Sequence, residues 1–186
     1  LEERGWDSAG FNDSDWKAVV LPGSPGGKLT SEIVTPIKVV QTLKPKSLSQ
    51  PKEGVWVFDM GQNLTGWVQL AVEGPEGTEV RMEFSELLYP EGTINDENLR
   101  SARATDTYIL KGEGLEVYEP RFTYHGFRYV QVTGFPGKPD LNSIRCRVVW
   151  SAVDEDWPST FSCSNDLFNW IQHAIIWGQL SNLNGY

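Results

Sequence analysis

WVQLAVEGPEGTEVRMEF, residues 67–84, is the stretch on which the fold turns. Val68, Leu70 and Val72 alternate with Gln69, Ala71 and Glu73. After Gly74-Pro75-Glu76-Gly77, Val80, Met82 and Phe84 alternate with Arg81 and Glu83. Alternation at period two sends one set of side chains to a core and the other toward water, which is strand behaviour. The Gly-Pro-Glu-Gly turn predicts that the two strands pair as a hairpin. On either side, Ile37–Val40, Val55–Phe58, Tyr108–Leu110, Phe127–Val132 and Ile144–Trp150 are further short β-type runs divided by Gly and Pro. From about 36 to 153 the expectation is therefore all β, an antiparallel β-sandwich.

The period changes near the C-terminal end. Ser164 or Asn165 caps a helix on which Leu167, Phe168, Ile171, Ile175 and Gly178 share one face. This C-terminal amphipathic helix is expected to lie on the sandwich or to find another chain. Residues 1–35 read as the tail of another module and a linker, with LPGSPGGK as the breaker. The chain thus divides into 1–35, a sandwich domain at 36–155, and the start of a helical domain at 156–186. Asn12-Asp13-Ser14-Asp15 lacks the acidic spacing and glycine of a calcium loop, so it reads as a capped turn under Phe11 and Trp16.

With 186 residues the chain is long enough to bury a core without disulfides or metals. Its net charge of −9, with dispersed Lys and Arg, speaks against nucleic-acid and membrane partners and leaves neutral ligands open. No apolar run approaches membrane-spanning length. Cys146, alternating with Ile144, Val148 and Trp150, reads as a buried small apolar residue. Two separate reduced thiols, Cys146 and Cys163, are expected, with a bridge in an exported protein as the alternative. Two histidines and no CxxC argue against a metal site, and no phosphate-binding glycine loop or nucleophile motif points to a cofactor.

Hydrolysis of a glycosidic bond needs two carboxylates across it. Strand parity puts Glu86 with Val80, Met82 and Phe84, Asp106 with Tyr108 and Leu110, and Arg128 with Val130 and Val132. Inward acids near an inward arginine predict a buried structural ion pair rather than a catalytic dyad, because an unpaired buried charge is costly. No residue of the chain is assigned a catalytic role. Carbohydrate sites join an aromatic ring to planar hydrogen-bonding groups. Trp56, Trp67, Gln62, Asn63, Asn98, Arg100 and His125 are of the right types; Trp67, Asn98, Arg100 and His125 are the contact candidates, while Trp56 sits in an apolar run that reads as buried.

Seven segments in order carry a family resemblance: GWDSAGFNDSDW (5–16), PIKVVQTLKP (36–45), FDMGQNLTGWVQL (58–70), EGPEGTEVRMEFSELL (73–88), EGTINDENLRSARATDTYILKGEG (91–114), YEPRFTYHGFRYVQVTG (118–134) and FSCSNDLFNWIQHAIIWGQLSN (161–182). Together they resemble the bacterial α-L-rhamnosidases, an inverting glycoside hydrolase family. The resemblance implies the end of a jelly-roll module at 1–35, then the concanavalin-like sandwich, then the first helix of an (α/α)6 catalytic toroid. It also implies a parent enzyme that removes terminal α-L-rhamnose without a cofactor, using glutamates of the toroid. This chain is then an inactive internal piece whose partner is that toroid in the same polypeptide. Two further associations follow as expectations: rhamnose-containing glycosides, bound by an autonomous carbohydrate-binding module, and a homodimer through the helix. The resemblance selects neither the cytoplasm nor export.

Overall fold

A computed structural model describes residues 3–151 and 160–185. By internal packing the chain divides after Ile33. In residues 3–33 there are turns and extended chain, with no helix or strand. Asn12 Oδ1 accepts from the Ser14 N–H at 3.2 Å, and the Phe11 and Trp16 rings lie 5.5 Å apart, so the capped turn and its aromatic contact are present.

The second unit contains strands β1 (Ile37–Leu43), β2 (Ser47–Lys52), β3 (Val55–Glu73), β4 (Glu79–Ser85), β5 (Leu87–Leu88), β6 (Ile94–Asn95), β7 (Thr105–Ile109), β8 (Leu115–Tyr118), β9 (His125–Thr133) and β10 (Ile144–Ser151), then helix α1 (Asp166–Leu180). Strand β3, 19 residues long, is its spine. The first half of β3 pairs with β2 and β9, the second with β10 and β8, all antiparallel. Outward from these, β9 carries β4 and then β7, while β10 carries β1. The sheet curls about β3, so both halves contribute to one buried cluster. Phe58 and Met60 come from the first half, Val68, Leu70 and Val72 from the second. Met82, Phe84, Phe127, Val130, Ile144 and Cys146 fill the space between. Each such side chain contributes about 1.5–3 kcal/mol relative to exposure. This is the antiparallel sandwich that the alternation predicts.

The hairpin at 67–84 is not formed. Strand β9 lies between the first half of β3 and β4, and β8 takes the end of β3 at Leu70–Glu73. The Gly74–Gly77 turn instead arches from one half of the curled sheet to the other. Alternation fixes which side chains face inward, but a tight turn serves an arch as well as a hairpin.

Helix α1 begins where the capping rule places it, with Asn165 Oδ1 accepting from the Leu167 N–H at 3.0 Å. It docks by a different face from the expected one. Leu180 is buried, and Trp177 meets Trp150 edge to face at 6.4 Å, while Leu167, Phe168, Ile171 and Ile175 stay exposed. Cys146 and Cys163 are separate free thiols, and burial pushes the Cys146 thiol up to about 12. The expected domain boundary at 155/156 lies outside the described residues.

Candidate functional site

The FDMGQN motif is a bulge. Asp59 pairs with Tyr129 and Leu64 with Phe127, so Met60, Gly61, Gln62 and Asn63 together stand opposite the single residue Arg128. Gly61 has φ +75°, a conformation natural to glycine, and its N–H donates to Asp59 Oδ1 at 2.6 Å. Arg128 closes the bulge from β9, donating from Nε and Nη2 to the two Asp59 oxygens at 2.8 Å each. That bidentate hydrogen bond, helped by the Gly61 N–H, holds the Asp59 carboxyl below its ordinary value despite partial burial.

The expected association of Glu86 and Asp106 with Arg128 is therefore replaced by three separate arrangements. Arg128 takes Asp59, because the bulge shifts parity between Phe127 and Val130 and turns Arg128 out of the core. Asp106 does face inward, but its partner is His125, Nε2 to Oδ1 at 3.0 Å. Their side chains are only 9 % and 10 % exposed, and the imidazole stacks on Phe84 at 4.3 Å. Glu86 is exposed and accepts from Asn63 Nδ2 at 2.9 Å. Strand β4 ends at Ser85, whose Oγ donates to Asn95 O and accepts from the Leu87 N–H, so the parity of β4 does not extend to Glu86.

The four sugar-contact candidates do not converge. Trp67 donates its indole N–H to Glu119 Oε2 at 3.0 Å, within a set completed by Gln69 and Arg147. Burial pushes the Glu119 carboxyl up, yet its bonds from Arg147, Trp67 and Gln69 hold it below the ordinary value. His125 pairs with Gly66, one step from Trp67, so the two side chains leave opposite faces of the sheet. Asn98 and Arg100 lie at the single helical turn Glu97–Leu99, both exposed, with Arg100 at φ +54°. Trp56 is buried, as its apolar run implies.

Sequence reasoning missed two features. Glu116, buried on β8, accepts from the Tyr108 hydroxyl at 2.6 Å and from the Lys111 and Gly112 N–H groups at 3.1 and 2.9 Å. Burial raises its pKa, but these donors prevail and lower it. The second is a cleft of about 680 Å³ between the β3 bulge and the C-terminal half of α1, lined in part by Asn63, Glu86, Tyr124, Trp177, Asn182 and Asn184. These residues come from four places in the chain; Asn63 is of a sugar-binding type by sequence, but its meeting with Tyr124 and α1 depends on distant segments. Among the described residues no cluster of His, Cys, Asp and Glu is arranged to hold a metal ion.

These features define a curled antiparallel β-sandwich domain whose inward carboxylates Glu116 and Asp106 bond to Tyr108 and His125, with Asp106 Oδ2 buried and without a hydrogen-bond partner. The profile of the bacterial alpha-L-rhamnosidase concanavalin-like domain matches residues 49–150, and the chain belongs to that family. It is 45% identical over 184 residues to an alpha-L-rhamnosidase of Streptomyces avermitilis, covering 97% of this chain and 18% of that protein. The crystal structure of that organism's alpha-L-rhamnosidase complexed with L-rhamnose superposes with TM-score 0.85 at 43% identity, over 97% of this chain and 18% of the other. The alpha-L-rhamnosidase of Dictyoglumus thermophilum superposes with TM-score 0.88 at 50% identity, over 98% and 20%. The chain spans about a fifth of the relatives that it matches.

Proposed function

We propose that this chain is the β-sandwich part of a larger α-L-rhamnosidase, and that it seats the catalytic (α/α)6 domain of the same polypeptide. In this reading 1–35 ends a jelly-roll module, 36–155 is the sandwich, and 156–186 opens the helical domain. The parent enzyme hydrolyses terminal α-L-rhamnose from glycosides with inversion, and its acid and base lie in the toroid. The observation that carries the proposal is α1. Its C-terminal half is fixed to the sandwich, while Leu167, Phe168, Trp170, Ile171 and Ile175 present an apolar face to solvent. A surface of that kind marks a contact with another folded element.

The test is a chimera in which this chain replaces the matching segment of the Streptomyces avermitilis enzyme. Turnover of an aryl α-L-rhamnoside is expected from the chimera and none from the chain alone. A folded but inactive chimera, or turnover by the isolated chain, would sink the proposal.

A further inference from the structure

We infer that the cleft between the β3 bulge and α1 binds a neutral pyranose, at a place where Trp67, Asn98, Arg100 and His125 take no part. The inference goes beyond the scaffold role and does not rest on it.

The size and lining of the cleft carry the argument. About 680 Å³ lies within the range of small-molecule sites and accommodates one or two sugar rings. No Lys, Arg or His side chain lines it, which disfavours phosphates and carboxylates. One carboxylate, Glu86, and the amides of Asn63, Asn182 and Asn184 supply planar acceptors and donors. Glu86 Oε1 is occupied by Asn63, leaving Oε2 for a ligand hydroxyl; Asn182 Nδ2 donates to Gly178 O, leaving Oδ1. Two rings stand among them, Tyr124 and Trp177. The Trp177 indole is held by edge contacts with Trp150 and His173, so its position is set before any ligand arrives.

Two independent features point the same way. Asn184 Oδ1 is buried without a donor, while its Nδ2 is committed to Ser181 O at 3.1 Å. Exchanging the amide O and N would set two oxygens against each other, so the orphaned acceptor is real. Asn184 is one of the residues lining the cleft, so an unmet acceptor stands in its wall. The second feature is the loop that carries Tyr124. Phe122 adopts φ +61° with its ring wholly in solvent, a costly conformation for a bulky residue and one that concentrates at ligand-contacting loops. A pyranose meets these groups well, because its C–H face covers a ring while its hydroxyls reach carboxylate and amide oxygens.

The test uses the ¹⁵N-labelled full chain titrated with L-rhamnose, D-glucose and glycerol. Saturable shifts of the Trp177 indole N–H and the Asn63 and Asn182 amides are expected with at least one pyranose and not with glycerol. Tyr124 is 48 % exposed, so Tyr124→Ala leaves the core intact, which the methyl spectrum checks. That variant should weaken binding about tenfold, equivalent to about 1.4 kcal/mol, and Glu86→Gln should weaken it too. Trp67→Phe should leave the titration unchanged. No saturable shift from either sugar, an equal response to glycerol, or binding lost in Trp67→Phe but kept in Tyr124→Ala would each overturn the assignment.

Discussion

Asp59 and Glu116 show what a buried or half-buried acid does in this sandwich: each closes an irregular stretch of backbone. Asp59 collects one N–H inside the bulge and a guanidinium across it. Its side chain is 24 % exposed and that of Arg128 41 %, so screening keeps the pair near about 1 kcal/mol. Because the folded carboxyl is held below the ordinary value of 3.8, its stabilisation is complete above that value and disappears as pH falls through the lower folded one. Asp59→Asn should therefore melt about 2–4 °C below the wild type at pH 7, with the gap closing in strong acid. Melting curves at the two pH values decide it, and an undiminished gap in acid would exclude the charge as the cause. Glu116→Gln poses a sharper problem, because an amide NH₂ replaces an acceptor where three donors converge. A loss of about 1–3 kcal/mol is expected in urea unfolding. A midpoint unchanged from wild type would mean that the turn rearranges freely.

The elements explain what sequence reveals and what it withholds. Val80, Met82 and Phe84 are buried while Arg81 is exposed, so the parity of β4 was legible, and Asn165 caps α1 as its residue type implies. Partnership was not legible. Nothing in residues 67–84 encodes that β9 lies between the strands on either side of the turn, since pairing depends on segments more than forty residues away. Strand β8 inverts the usual pattern, with Leu115 and Val117 outward and Glu116 inward, because three local donors satisfy the carboxylate. The contacts of Asp106 and Arg128 were misplaced for a related reason: a bulge on one strand resets the parity of the next. Gly66 marks another point set by distant chain. It pairs with His125 on one side and Val148 on the other, and a Cβ there would lie 1.9 Å from Arg147 O. Gly66→Ala must push β10 away from β3, at a cost of about 1–3 kcal/mol. Early loss of amide protection along Ile144–Val148 in hydrogen exchange would show it. Uniform destabilisation with β10 still the last to exchange would argue against that site of strain.

At the scale of the whole molecule, two opposing terms act on the exposed face of α1. A net charge of −9 repels copies of the chain from one another, whereas Leu167, Phe168, Trp170, Ile171 and Ile175 favour burial and bring no charge of their own. The repulsion is long-ranged and fades once the Debye length falls toward about 3 Å near 1 M salt; the apolar attraction is short-ranged and survives. The isolated chain should therefore be mainly monomeric in dilute buffer and associate as salt and concentration rise, pairing through α1. Sedimentation velocity across a salt series measures this directly. Ile175→Lys puts a charge in the middle of the seam and should keep the chain monomeric throughout, while Leu115→Lys, on the exposed face of β8, should associate as the wild type does. If Ile175→Lys associates normally and Leu115→Lys does not, the self-adhesive surface is the β8 edge. In that case α1 loses the stickiness that the scaffold proposal attributes to it. The same pair of variants in the chimera separates the two roles: covering α1 with a catalytic domain makes Ile175→Lys costly to turnover, and Leu115→Lys serves as its control.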